Sequence, residues 1–165
     1  MRKLDLDSNL SVLDLATGTG ILAGTFALRG HSVKGVDIAE KMLHRARRKF
    51  PQITFENFDL YQLDSIKTGS SDIVTMGYFL HGANPDFRMQ VLSEAARIAA
   101  KYVIVFDYCC KGNWLVDLIE WIEGSHYNQF VSLPREEELA QAGLQVEREL
   151  NLSDYGSVWV CKRMV

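Results

Sequence analysis

Val12-Leu13-Asp14-Leu15-Ala16-Thr17-Gly18-Thr19-Gly20 reads as an apolar strand ending on an acid, a glycine-bearing turn and the start of an apolar helix. A short buried strand takes Val and Leu, and a tight turn takes residues free of Cβ crowding. A helix opening right after the turn presents unpaired N–H groups. Together these make a cradle for a polar small molecule.

Two kinds of protein use such a cradle. Gly18-Thr19-Gly20-Ile21-Leu22-Ala23 has the spacing of the dinucleotide fingerprint, in which a helix N-terminus meets a pyrophosphate. Asp14, placed before the glycines, would repel a pyrophosphate and attract a cationic head such as an ammonium group. With Asp14 in view, Val12 to Gly20 resembles the first motif of the class I S-adenosylmethionine-dependent methyltransferases, an acid followed by Gly-x-Gly-x-Gly. The likeness is to the small-molecule, UbiE-like group. Ala16 stands where the first glycine usually does, a mild exchange if the backbone there keeps a negative φ.

The 165 residues suit one domain over residues 1–165, with a core of ordinary size. With 47% hydrophobic and 24% charged residues the chain reads as globular. No apolar run approaches the about 20 residues that cross a bilayer, and Met1-Arg2-Lys3-Leu4-Asp5 lacks a signal peptide's apolar centre; a cytoplasmic protein without a membrane partner is expected. The net charge of -3 gives no electrostatic reason for a nucleic-acid partner and favours a small-molecule substrate. Cys109, Cys110 and Cys161 fit neither a disulfide framework nor a metal site, so reduced thiols and no metal are expected.

The periodicity beyond the turn predicts alternating helices and strands. Leu22, Ala23, Phe26 and Ala27 repeat at helical spacing up to Gly30, and Val33 to Asp37 is a second strand ending in an acid. Asp37 lies where a carboxylate accepts the hydroxyls of a ribose, a sugar common to both cofactor classes. A helix over about Ala39 to Phe50 carries Lys41, Arg45, Arg47, Arg48 and Lys49 on a face read as solvated. Ile53 to Asp59 alternates as a third strand, again closing on an acid, and Asp72 to Tyr78 is a fourth. Asn84-Pro85 reads as a cap and first helical residue for Asp86 to Ala100. Tyr102 to Phe106 is a buried fifth strand with Asp107 and Tyr108 at its mouth. Trp114 to Glu123 is predicted helical, Gly124 to Phe130 a loop over the ligand edge, and Pro134 to Ala142 a short helix. Two last strands joined by Ser153-Asp154-Tyr155-Gly156 form a hairpin.

An antiparallel hairpin closing a parallel sheet is the methyltransferase ending. The resemblance therefore implies a Rossmann-like, doubly wound α/β fold, mostly parallel, with seven strands in the order 3-2-1-4-5-7-6. It also implies a lid segment before the first strand; Met1 to Leu10 is short and polar, so the lid is short or absent and a homodimer or partner chain is expected to cover the open site. By the same resemblance S-adenosylmethionine is the cofactor and S-adenosylhomocysteine its product. Asp14 would take the methionine end, Ala16, Thr17, Gly18 and Gly20 the loop contacts, Asp37 and Ile38 the ribose side, and Asp59 with Leu60 the adenine; Met42 and Met76 complete the cofactor set.

Methyl transfer from a sulfonium to a good nucleophile draws its rate from in-line alignment and exclusion of water, so a base is not required. Where the acceptor must lose a proton, His81, after the fourth strand, is the candidate catalytic residue. Tyr78, Tyr108, Trp114, His126, Tyr127 and Phe130 are the candidate substrate residues. Two other functions stand beside this one: an NAD-type Rossmann oxidoreductase, and a catalytically silent cofactor-binding partner subunit.

Overall fold

Val12, Leu13 and Leu15 are all at most 4% exposed in the first strand, β1 (Ser11–Leu15), because this strand lies inside the sheet with a layer of helices on each face. In the computed structural model, residues 6–7, 9–109 and 127–164 are described. Beside β1 lie β2 (Ser32–Asp37) and β3 (Thr54–Asn57) on one flank, and β4 (Ser71–Gly77) and β5 (Ala99–Tyr108) on the other, all parallel. The hairpin of β6 (Leu144–Asn151) and β7 (Gly156–Arg163) adds antiparallel to β5 and completes the order β3-β2-β1-β4-β5-β7-β6. Fold class and strand order are those the resemblance implied.

The period-2 alternation sorts the side chains into two cores. Leu13, Leu15, Val74, Val103, Val105 and Trp159 face α3 (Pro85–Ile98) and α5 (Arg135–Gln141) through Val91, Leu92, Ala95 and Leu139. Val12, Ile73, Ile104, Phe106, Val158 and Val160 form the opposite core with Phe26 of α1 (Ile21–Ala27). On that same side Leu43 and Ala46 of α2 (Glu40–Lys49) pack with Ala23, Ile53 and Phe55.

Several boundaries differ from expectation for physical reasons. The third strand stops at Asn57, two residues before Asp59, whose carboxylate accepts from Tyr61 N at 3.0 Å and caps a short 3-10 helix, Leu60–Ser65. The fourth stops at Gly77 because Tyr78 takes φ 53 and leaves the extended region. The fifth strand starts at Ala99, directly from α3, whose Asn84 cap and Pro85 stand as predicted. Residues 127–130, expected in a loop, open the helix α4 (Tyr127–Ser132). Arg47, assigned to a solvated face, donates to Phe55 O at 3.0 Å and ties α2 to β3. The expected helix Trp114–Glu123 lies outside the described residues, as does Cys110. Cys161 is fully buried, and burial pushes its thiol up to about 12, so it is unreactive.

Candidate functional site

The turn after β1 is built from left-handed residues: Ala16 φ 50, Gly18 φ 55 and Gly20 φ 75. The condition for a mild exchange at Ala16, a negative φ, is therefore not met. An alanine here carries the Cβ–carbonyl crowding that a glycine avoids. The turn is pinned to the neighbouring strand by Thr17 N donating to Val36 O at 2.9 Å. Gly18 N donates to Asp37 Oδ2 at 2.8 Å, and Ala39 N donates to Asp37 Oδ1 at 2.8 Å. Asp37 thus joins the glycine turn to the end of β2. A Cβ at Gly20 would lie 2.7 Å from the Phe55 ring, and one at Gly35 would meet both that ring and Thr17 Oγ1 at 2.7 Å. Gly20 makes room for Phe55 and is a packing residue as much as a loop residue.

Asp14 does not stand on the open rim. It is 1% exposed beneath the turn, accepting from Thr17 Oγ1 at 2.5 Å and Thr75 Oγ1 at 2.6 Å. Burial raises its carboxyl to about 6, against the pull of those two hydroxyls. Asp37 and Asp59 are half-buried, and Ile38 is 67% exposed beside them.

Three clefts run in series along this edge. One of about 310 Å³ is bounded by Ala16, Asp37, Ile38, Asp59, Leu60, Tyr61, Phe79 and Phe87. Its aromatic wall is organised, since the Tyr61 and Phe87 rings stack at 4.2 Å between centroids. A second, of about 510 Å³, shares Ala16 and reaches over Asp14, Thr17, Gly18 and Met42 to Gly77, Tyr78 and Phe106. The third, of about 440 Å³, shares Tyr78 and Phe79 and holds His81.

The far end is a side-chain network. His81 Nδ1 lies 2.8 Å from Asp107 Oδ1, which also accepts from Tyr108 N at 2.9 Å; Asp107 Oδ2 accepts from Leu80 N at 2.9 Å. Tyr108 packs edge-on against His81 and Tyr78, at 4.8 and 5.3 Å between centroids. Behind it Glu138 bridges Arg88 and Arg135, and Phe130 lies 3.4 Å from the Arg135 guanidinium and 5.3 Å from that of Arg88.

Two assignments change. Phe130 is 0% exposed and Met76 1%, both inside the larger core, so neither offers a surface to a ligand. Tyr78, Met42, Asp59, Leu60 and Ile38 do line the clefts. Tyr127 opens α4, while Trp114 and His126 lie outside the described residues. Sequence reading missed the aromatic wall of Tyr61, Phe79 and Phe87 and the tie from Asp107 to His81. An acid at the mouth of the fifth strand was the available signal for the latter. Among the described residues, no group of three or more His, Cys, Asp or Glu side chains could hold a metal ion, and no helix is long and apolar enough to cross a membrane.

A five-strand parallel sheet closed by an antiparallel hairpin, with a glycine turn and an acid at the ligand edge, defines a class I methyltransferase fold. A family model described as a methyltransferase domain matches residues 12–101. The chain belongs to that family and is a member of the class I S-adenosylmethionine-dependent methyltransferases. Among curated relatives, demethylmenaquinone methyltransferase of Chlorobaculum tepidum is 42% identical over 55 residues, 33% of this chain and 23% of the relative. The ubiquinone/menaquinone biosynthesis C-methyltransferase UbiE of Campylobacter jejuni is 31% identical over 105 residues, 59% of this chain and 43% of the relative. The chain thus spans less than half the length of these curated relatives. Magnesium protoporphyrin IX methyltransferase (ChlM) from Synechocystis, solved with bound S-adenosylhomocysteine, superposes with TM-score 0.71 at 23% identity, covering 94% of this chain and 75% of that one.

Proposed function

We propose that the chain binds S-adenosylmethionine along the carboxyl ends of β1, β2 and β3 and passes its methyl group in line to a flat small-molecule acceptor. The single observation that supports this most is the Gly18 N to Asp37 Oδ2 bond at 2.8 Å, which fixes the turn and the carboxylate of a nucleoside site relative to each other. Each Asp37 oxygen accepts one N–H bond and keeps a lone-pair position for a ribose hydroxyl. The cleft of about 310 Å³, with Asp59 and Leu60 at its end and aromatic rings on its wall, suits an adenine in size and chemistry. Asp14, buried below Thr17, acts on the methionine ammonium through its field, while Gly18 and Met42 border that end.

Bound there, the cofactor supplies an electrophilic sulfonium methyl. The chain's part is to hold the acceptor in line with it and to exclude water. Tyr78, where the second and third clefts meet, and Phe79, shared by the first and third, supply ring faces for a flat acceptor. The quinone-pathway names of the curated relatives support an aromatic or quinone-like ring. Calorimetric titration tests the reading: S-adenosylhomocysteine binds and NAD does not. Binding of NAD as tight as that of S-adenosylhomocysteine overturns it.

A further inference from the structure

Asp107 has more ties than a strand-end acid needs. It is 1% exposed, takes main-chain N–H bonds from Leu80 and Tyr108, and still reaches His81 Nδ1 at 2.8 Å. A carboxylate only accepts, so a proton of this contact sits on Nδ1, and in the neutral tautomer that this selects the lone pair is on Nε2. The ring is also clamped edge-on by Tyr108 at 4.8 Å, and its side chain, 17% exposed, borders the third cleft with Tyr78 and Phe79. Capping the Leu80–Gly82 turn requires only the Leu80 bond; it does not require a buried carboxylate aimed at an imidazole.

We infer that His81 is the proton acceptor for a hydroxyl-bearing substrate, with Asp107 as its positioning residue, so that the atom methylated is a phenol-type oxygen. The inference rests on the methyl-transfer reading above. In the step, an oxygen lone pair forms the C–O bond as the methyl carbon–sulfur bond breaks and its electron pair returns to sulfur. The hydroxyl proton passes to His81 Nε2, giving an imidazolium beside the Asp107 carboxylate, and leaves to water afterwards. An acceptor already anionic in water, such as an aryl thiolate, does not use this route.

The test takes 2-naphthol and 2-naphthalenethiol as acceptors of one shape with labelled S-adenosylmethionine, on wild type, His81→Gln and Asp107→Asn. His81→Gln lowers kcat on the naphthol at least about 100-fold and on the thiol less than about threefold. Asp107→Asn lowers the naphthol rate about 10-fold with little change in KM. Nitrogen NMR of the unliganded wild type finds the proton on Nδ1 of His81, and Asp107→Asn loses that preference. Equal losses on both acceptors, a proton on Nε2 instead, or a wild type that binds S-adenosylhomocysteine yet methylates no hydroxyl acceptor each overturn the inference and leave the cofactor reading standing. Failure of the wild type to bind S-adenosylhomocysteine removes the cofactor reading itself.

Discussion

The two halves of the sheet's carboxyl edge are built by different means. On the β1–β3 side, Asp37 and Asp59 are positioned by main-chain N–H groups two residues on, at Ala39 and Tyr61, or in the turn after the neighbouring strand, at Gly18. On the β4–β5 side, Asp107 holds His81 across 26 residues of sequence, and Glu138 holds Arg88 across 50 and pairs with Arg135 as well. The first is backbone geometry that short motifs encode; the second depends on packing and charge balance in a closed interior. A substitution should therefore act locally on ligand binding in the first half and, at the Arg88–Glu138–Arg135 cluster of the second, globally on stability.

The largest expected effect breaks the second half. Arg88 is 0% and Glu138 8% exposed, so Glu138→Gln leaves two buried guanidinium groups without their shared counter-charge. It should cost about 3–5 kcal/mol in urea unfolding, and a loss under 1 kcal/mol would show that the network does not carry the region. In the first half, Asp37→Ala removes two part-exposed main-chain bonds and should lower the stability of the unliganded protein by less than Glu138→Gln does. It should weaken S-adenosylhomocysteine binding at least about 100-fold by calorimetry, about 2.7 kcal/mol.

Asp14 gives a pH dependence with a definite sign. The native carboxyl keeps its proton up to about 6, whereas an unfolded one releases it near 3.8, so the native state binds more protons in that window. The unliganded protein gains stability as pH falls from 7 through 6 towards 4, by up to about 3 kcal/mol, and Asp14→Asn flattens the slope. Over the same fall the carboxylate proposed to attract the cofactor's ammonium through its field is neutralised. The thermal shift given by S-adenosylhomocysteine should then shrink below pH 6; an unchanged shift would remove Asp14 from ligand binding. Smallest is Ala16→Gly, which relieves φ 50 and should raise the unliganded protein's stability by up to about 1 kcal/mol in thermal unfolding.

This contrast also sets what could be read from the sequence. The strands and the acids Asp14, Asp37 and Asp59 are legible in strand periodicity, glycine spacing and the position of each acid after its strand, whereas the strand order follows only from the resemblance to the methyltransferases. The conformation of Ala16 was hidden, because an alanine does not advertise a left-handed φ as a glycine does. The burial of Asp14 under Thr17 and Thr75 depends on the β1–β4 register, which places Asp14 opposite Thr75. Phe130 read as a ligand aromatic, since its sandwich between Arg88 and Arg135 comes from three separate segments that only the fold brings together. The Asp107 tie to His81 is long-range in the same way, and neither residue alone distinguishes a base from a surface histidine.

The most direct measurement is a crystal of this protein soaked with S-adenosylhomocysteine. The account predicts density along the clefts over β1, β2 and β3, with the ribose hydroxyls on Asp37 and the adenine beside Asp59 and Leu60. Density elsewhere, or a bound nucleoside with Asp37 turned to bulk solvent, would contradict it.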